Sequence, residues 1–347
     1  MPIQQFMTAA FGAAAIFASA AHAEVSTHQN INTVEIRDFI GAVNIETAAS
    51  GDVRLDNQPG DDADYPVIVD TDNGVLSIRS YEDPDETRWH RDVDWRRYEE
   101  RAFEVFLEDY PTITLTIPAG AALSFDSAVV KLTADNTNGA LSVREGHVDG
   151  VIGDIASGDI KIHGSGDLKT GVVAGALDIG IHGSGDFEAL TVETLEASIH
   201  GSGDINLRDV NGDATVGIHG SGDVTLGNVN GSFVASIHGS GDIDAGDVAG
   251  GAATSVYGSG DISLASINGE TTAKVHGSGY INIRDGRAED LRVEIHGSGG
   301  FDFGGVATNP DVRASRSGDV YIRRHEGSVR VSGDGDVRIS GVQYGDD

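Results

Sequence analysis

The sequence predicts an all-β fold: a parallel β-helix, or solenoid, with rungs of about 19 residues and a β-rich N-terminal cap. Parallel crossover connections favour a right-handed coil. Three observations carry this. The pentapeptide His163-Gly164-Ser165-Gly166-Asp167 recurs from His182, His200, His219 and His238, and with Tyr257 in place of the histidine. Two further copies, from His276 and His296, end in Tyr280 and Gly300 instead of Asp. Successive first positions lie 19, 18, 19, 19, 19, 19 and 20 residues apart, the mark of one unit stacked on copies of itself. Between copies, Val224 and Leu226 alternate with Asp223, Thr225 and Gly227, the period of a half-buried strand. Finally, the short and long copies differ in the turn opposite Gly-Ser-Gly, so that turn varies as a surface loop does while the glycine corner keeps its length.

Residues 1–23 read as a secretory signal peptide. Phe11 to Phe17 forms an apolar core and Ala21-His22-Ala23 a small-x-small cleavage site, although no Lys or Arg precedes the core. There is no cysteine, hence no disulfide framework, thiol chemistry or lipidated cysteine. No later apolar run approaches the length of a membrane-spanning helix. Export to the periplasm or the cell surface is the expectation.

Residues 24–138 read as a β-rich N-terminal part. Val43 to Thr47, Asp52 to Leu55 and Ile113 to Ile117 alternate as strands. Val67 to Val69 and Val75 to Ile78 flank Asp72-Asn73-Gly74, a hairpin signal. Residues 81–110 break the pattern as an inserted loop that holds both tryptophans. A long insertion carrying aromatic and Arg side chains suits ligand binding, and Trp89, Arg91, Trp95, Arg96, Arg97 and Tyr98 are the candidate contacts. A mobile charged loop, or a short helix covering the end of the solenoid, accounts for the same residues.

Residues 139–347 form the repeat solenoid, continuous with 24–138 if the strands simply go on. Counting parity from Ile218, the side chains of His219, Ser221 and Asp223 point outward, while Gly220 and Gly222 face a tight inward corner. After His296 the motif decays to Ser315-Arg316-Ser317-Gly318-Asp319 and Ser332-Gly333-Asp334-Gly335-Asp336. There Arg323, Arg324, Arg330 and Arg338 are placed to discourage edge pairing at a terminal rung.

The Gly-Ser-Gly-Asp-Ile/Val repeats, with the strand Thr112 to Ile117 and its Pro118-Ala119-Gly120 turn, resemble the head GIN-domain family of autotransporter adhesins. The resemblance spans roughly Val34 to Gly341. It implies a secreted bacterial β-solenoid of the cell envelope with an adhesive role, and it brings no catalytic residues. The chain departs from the family pattern in setting His before most glycine corners and in lacking a barrel of its own.

Charge bounds the partners. With 23 basic and 55 acidic residues the net charge is −32, which repels phosphate backbones and excludes nucleic acid. His163, His182, His200, His219, His238, His276 and His296 form one external column, and Asp167, Asp186, Asp204, Asp223, Asp242 and Asp261 a second. Imidazole and carboxylate ligate metals, which makes the histidines the metal candidates. A site normally has a centre, however, and this pattern has none. The reading set against metal is that Asp accepts N–H bonds from its own glycine turn, and on that reading neither metal nor cofactor is expected. The serines repeat without a single basic partner, and no His-Glu-x-x-His or phosphate-cradling loop occurs. The expectation is an exported, non-catalytic interaction protein whose envelope or surface partner is a glycan or a protein. The alternative is a periplasmic cation- or glycan-binding module, including a carbohydrate-active one.

Overall fold

The computed structural model describes residues 15–16, 24–60, 66–80, 110–315 and 317–344. The rest of the signal-peptide region and residues 81–109 of the insertion lie outside the described residues. Among the described residues there are strands and turns but no helix. The fold is a parallel β-solenoid of about 11 turns with rungs about 19 residues apart.

One rung shows why the chain folds so. Strand Ile205–Val210 leads into a turn, strand Ala214–Ile218 follows, and the corner His219 to Asp223 closes the circuit. Ile205 pairs in parallel with Phe187 below and Val224 above, and Ala214 with Leu195 and Phe233. Ile205, Leu207, Val210, Ala214, Val216 and Ile218 are buried, and Asn206, Arg208 and Thr215 exposed. A rung alone would leave both sides of its apolar layer in water, so stability comes from stacking. Each buried Val, Leu or Ile contributes roughly 1.5–3 kcal/mol of transfer free energy. One continuous core runs from Ile31 to Ile339.

The glycine corner is built on close backbone approach. A Cβ at Gly222 would sit 2.0 Å from the carbonyl oxygen of Gly203, and one at Gly220 2.0 Å from that of Gly201. Among the motif glycines only Gly164 has positive φ, so left-handed backbone is not the reason for glycine in the other copies. The opposite turn absorbs length changes, as its sequence variation suggested. In the long copy, Glu270 pairs with Glu289 but Thr271 with Leu291, and the extra residue Asp290 bulges out at φ 50°. Where the short copy stacks on the one before it, Val192 pairs with Val173 but Thr194 with Ala176, so the short copy lacks one residue at this turn.

The N-terminal part caps the coil in an order the chain does not follow. Thr33–Arg37 and Ile40–Ala48 form one turn, parallel on one side to Ala122–Ala134. On the other side they pair in parallel with Val75–Arg79 and Thr112–Pro118. The turn made later in sequence therefore lies outside the earlier one. Beyond it the pairing becomes antiparallel: Val53–Gln58 on Thr112–Pro118, Glu24–His28 on Val53–Gln58, and Ile68–Asp72 on Val75–Arg79. The last pair is the expected hairpin, with Asn73 and Gly74 both at positive φ as its two-residue loop requires. At the far end Asp336–Ile339 turns back through Ser340 and Gly341 onto Val342–Tyr344, a second antiparallel cap.

Candidate functional site

The corner columns hold the most concentrated chemistry of the molecule. The Asp side chains do not serve their own turns, which corrects that expectation. Oδ1 of Asp167 accepts the backbone N–H of Asp186 at 2.8 Å, Asp186 accepts from Asp204, and Asp204 from Asp223. Asp223, Asp242 and Asp261 continue to the N–H groups of Asp242, Asp261 and Tyr280. The ladder stops where Asp stops. Similar bonds tie other corners, from Asp209 to the N–H of Asn228, from Asn228 to that of Asp247, and from Asp213 to that of Ser232. Each bond satisfies an amide that the corner would otherwise leave to water, which offsets the mutual repulsion of stacked carboxylates.

Tyr280 replaces the last Asp, and its aromatic ring takes the space above it. A Cβ at Gly300 would fall 2.3 Å from that ring, which explains why the next copy ends in glycine. Burial, with the carboxylates of Asp302 and Asp319 nearby, pushes the Tyr280 hydroxyl above its ordinary pKa. Burial alone raises Asp302.

The seven candidate histidines do come together, in one exposed stack with Tyr257. Ring centroids are 4.7 Å apart for His163 and His182, 4.9 Å for His182 and His200, and 4.8 Å for His200 and His219. The stack continues through His238, Tyr257, His276 and His296 at 4.9, 4.6, 4.9 and 5.1 Å. The ring planes lie within 14° of parallel throughout. This geometry bears on metal binding. A zinc ion shared by two imidazoles needs both nitrogens within about 2.1 Å of it, hence at most about 4.2 Å from each other. Parallel rings at the observed spacing hold equivalent nitrogens farther apart than that. Among the described residues no group of three His, Asp or Glu side chains is disposed to hold an ion. His182 titrates below the usual imidazole value because of partial burial, then the adjacent His163 and His200, then Lys161. His147, one turn before the stack, is driven down to about 4 by burial.

The insertion attaches at this same corner. Ser80 N–H donates to the carbonyl of Asp38 at 3.0 Å, and Ala42 N–H donates to that of Pro111 at 3.0 Å. Asp38 in turn donates to Asp126, and Gly166 stacks over Val148, so these corners belong to one column. Trp89, Arg91, Trp95, Arg96, Arg97 and Tyr98 themselves lie outside the described residues. A separate groove of about 580 Å³ crosses the other face at Val151, Lys169, Glu188, Leu190 and Arg208. Lys169 and Glu188 form an ion pair there at 3.0 Å.

The family model described as "putative auto-transporter adhesin, head GIN domain" matches residues 60–246 and 249–342, most of the chain. The chain belongs to the head GIN-domain family. Solved structures similar to it include two crystal structures. One is a "putative adhesin" from Bacteroides fragilis, 15% identical, covering 81% of this chain and 96% of its own with a TM-score of 0.33. The other, a "putative lipid binding protein" from Parabacteroides distasonis, is 14% identical and covers 89% and 96%, with a TM-score of 0.19. At such scores the likeness speaks to neither site nor ligand. No curated protein matches the chain significantly. Membership of a head GIN-domain family agrees, at a coarse level, with a surface interaction role.

Proposed function

We propose that this head GIN-domain chain is an exported, non-catalytic interaction protein of the cell envelope or surface, binding its partner through the outer faces of the solenoid and the insertion at 81–110. The observation that carries this reading is how the corner chemistry is used. Every ladder Asp from Asp167 to Asp261 spends Oδ1 on the backbone of the next rung, and the histidines stack on one another. Acid–base catalysis needs one pair of groups set apart from the rest by its surroundings. Here neighbouring rungs present nearly the same groups in nearly the same places. A uniform ladder is suited to extended, repeated contact.

The test uses the chain from Glu24 onward, added to washed native cells and to isolated envelope. Saturable retention is expected, with no release of soluble fragments. Both tryptophans lie in the insertion, so their emission reports on it. Deleting Arg88 to Arg101 is expected to weaken retention while leaving the β circular-dichroism signal intact. Absence of retention, or depolymerisation of envelope material, would overturn the reading.

A further inference from the structure

One stretch of the surface stands apart from the charge of the whole. The outward positions of the strand that precedes the histidine corner are Glu196 and Ser198 in one rung, then Thr215 and Gly217, Val234 and Ser236, Ala253 and Ser255, and Thr272 and Lys274. Three successive rungs, from Thr215 to Ser255, thus present no charged side chain on this face of a chain that carries net −32. Register is kept across them, with Thr215 beside Val234 and Ala253, and Gly217 beside Ser236 and Ser255. Val234 is 45% exposed. One long edge of the patch is the ring stack of His219, His238 and Tyr257.

Gly217 gives a second, independent observation. Apart from Gly164, which has positive φ, the corner glycines have no room for a Cβ, and their presence is explained by packing. At Gly217 a Cβ would meet only Ser236 Oγ at 3.7 Å and His219 Cε1 at 3.8 Å, ordinary contacts, and φ is not in the left-handed region. Nothing inside the fold asks for glycine there, although glycine in a strand costs stability. Such a glycine marks a place where something approaches the backbone from outside. What it leaves open is a shallow step alongside the edge of the His219 ring.

We infer that this face, Thr215 to Ser255 together with the ring edges of His219, His238 and Tyr257, binds a neutral, linear, hydroxyl-rich polymer: a polysaccharide strand lying along the solenoid axis. The inference rests on the surface-interaction reading and names its partner class. Lack of charge on one face of a strongly acidic protein selects an uncharged partner, since an anionic one is repelled and a cationic one finds better company elsewhere. Because the rings stack face to face, only their edges are free, and imidazole edges and the Tyr hydroxyl donate and accept hydrogen bonds. Ser236 and Ser255 add hydroxyls at the same rung spacing. A polymer that repeats its own hydroxyls is matched group by group. A folded protein or a second copy is a poorer occupant: three rungs offer on the order of 200 Å², against about 800 Å² per side in a standard protein interface.

The probes are three neutral polymers (microcrystalline cellulose, chitin and a soluble mixed-linkage β-glucan), with alginate as the anionic control. Co-sedimentation and affinity electrophoresis of the chain from Glu24 onward are expected to show binding to at least one neutral polymer and none to alginate. Gly217→Gln and Val234→Glu fill or charge the patch at exposed positions, and each is expected to weaken that binding at least tenfold with an unchanged melting temperature. Thr225→Glu, on the other face, is expected to leave binding unchanged. Equal loss in all three variants, preference for alginate, or no binding to any neutral polymer by a chain that still adheres to cells would overturn the inference while sparing the surface-interaction reading. Loss of cell adhesion as well would overturn both. A dimer in solution that Val234→Glu dissociates would assign the patch to a second copy and also overturn the inference.

Discussion

The two ends of each rung obey different rules. At the Gly-Ser-Gly-Asp corner, from the second copy onward, the chain is held by the rung below: glycine Cα atoms rest on carbonyl oxygens, and each Asp up to Asp261 reaches forward to the next amide. At the opposite turn the chain gains Asp290 as a bulge in one copy and loses a residue in another without disturbing the strands on either side. The motif conspicuous in the sequence is therefore a device for stacking, and conspicuousness alone does not mark a binding site. The places open to a partner are those that packing leaves unconstrained.

The largest effects are expected from breaking the fixed corner. Gly222→Val places a branched side chain where even a Cβ would lie 2.0 Å from the Gly203 carbonyl, and chemical denaturation should show a loss of several kcal/mol or partial unfolding of the stack. Inserting one residue after Asn230, in the opposite turn, should cost under about 1 kcal/mol. Equal sensitivity at the two ends would erase the distinction. On the strand leaving the corner, Val224→Asp buries a carboxylate between rungs and should cost several kcal/mol, whereas Thr225→Asp, one position on and exposed, should cost under about 0.5 kcal/mol.

Acid should act on the same end of the rung. His147 and His182 both titrate below the free imidazole value, so the unfolded chain binds their protons first. Stability is then complete above about pH 6.5 and is lost as pH falls from there toward the folded values, near 4 for His147. The His147 contribution is on the order of 3 kcal/mol. A His147→Gln variant should flatten the acid limb of a melting-temperature profile between pH 6.5 and 4; an unchanged profile would remove His147 from the account. Smaller still, Asp204→Ala takes the acceptor from the Asp223 N–H, and a loss of about 1 kcal/mol is expected from denaturant midpoints.

Much of the architecture was legible in the sequence. The 19-residue period set the rung, and parity from Ile218 placed inside and outside correctly, because a stacked strand repeats both at fixed intervals. The interleaved first turn was not legible: strands such as Thr33–Arg37 and Val75–Arg79 alternate alike, and alternation says which way a side chain points but not which strand lies beside it. The Asp ladder was misassigned to its own turn because the true donor lies a whole rung away in the chain. Gly300 had no visible reason until the Tyr280 ring was seen to occupy its space. Gly217 read as one more glycine among 48, and only the space around it separates it from the corner glycines. Trp89 to Tyr98 stood out by composition, and what they touch lies outside the described residues.

That separation of glycines is also the most direct test of the account. Gly217→Ala and Gly222→Ala make the same chemical change five positions apart, and their unfolding free energies can be compared in one denaturant series. The account predicts that Gly222→Ala loses several kcal/mol, because its methyl must displace the Gly203 carbonyl, while Gly217→Ala is neutral or gains up to about 1 kcal/mol from a stiffer unfolded chain. Equal losses at both positions would contradict it.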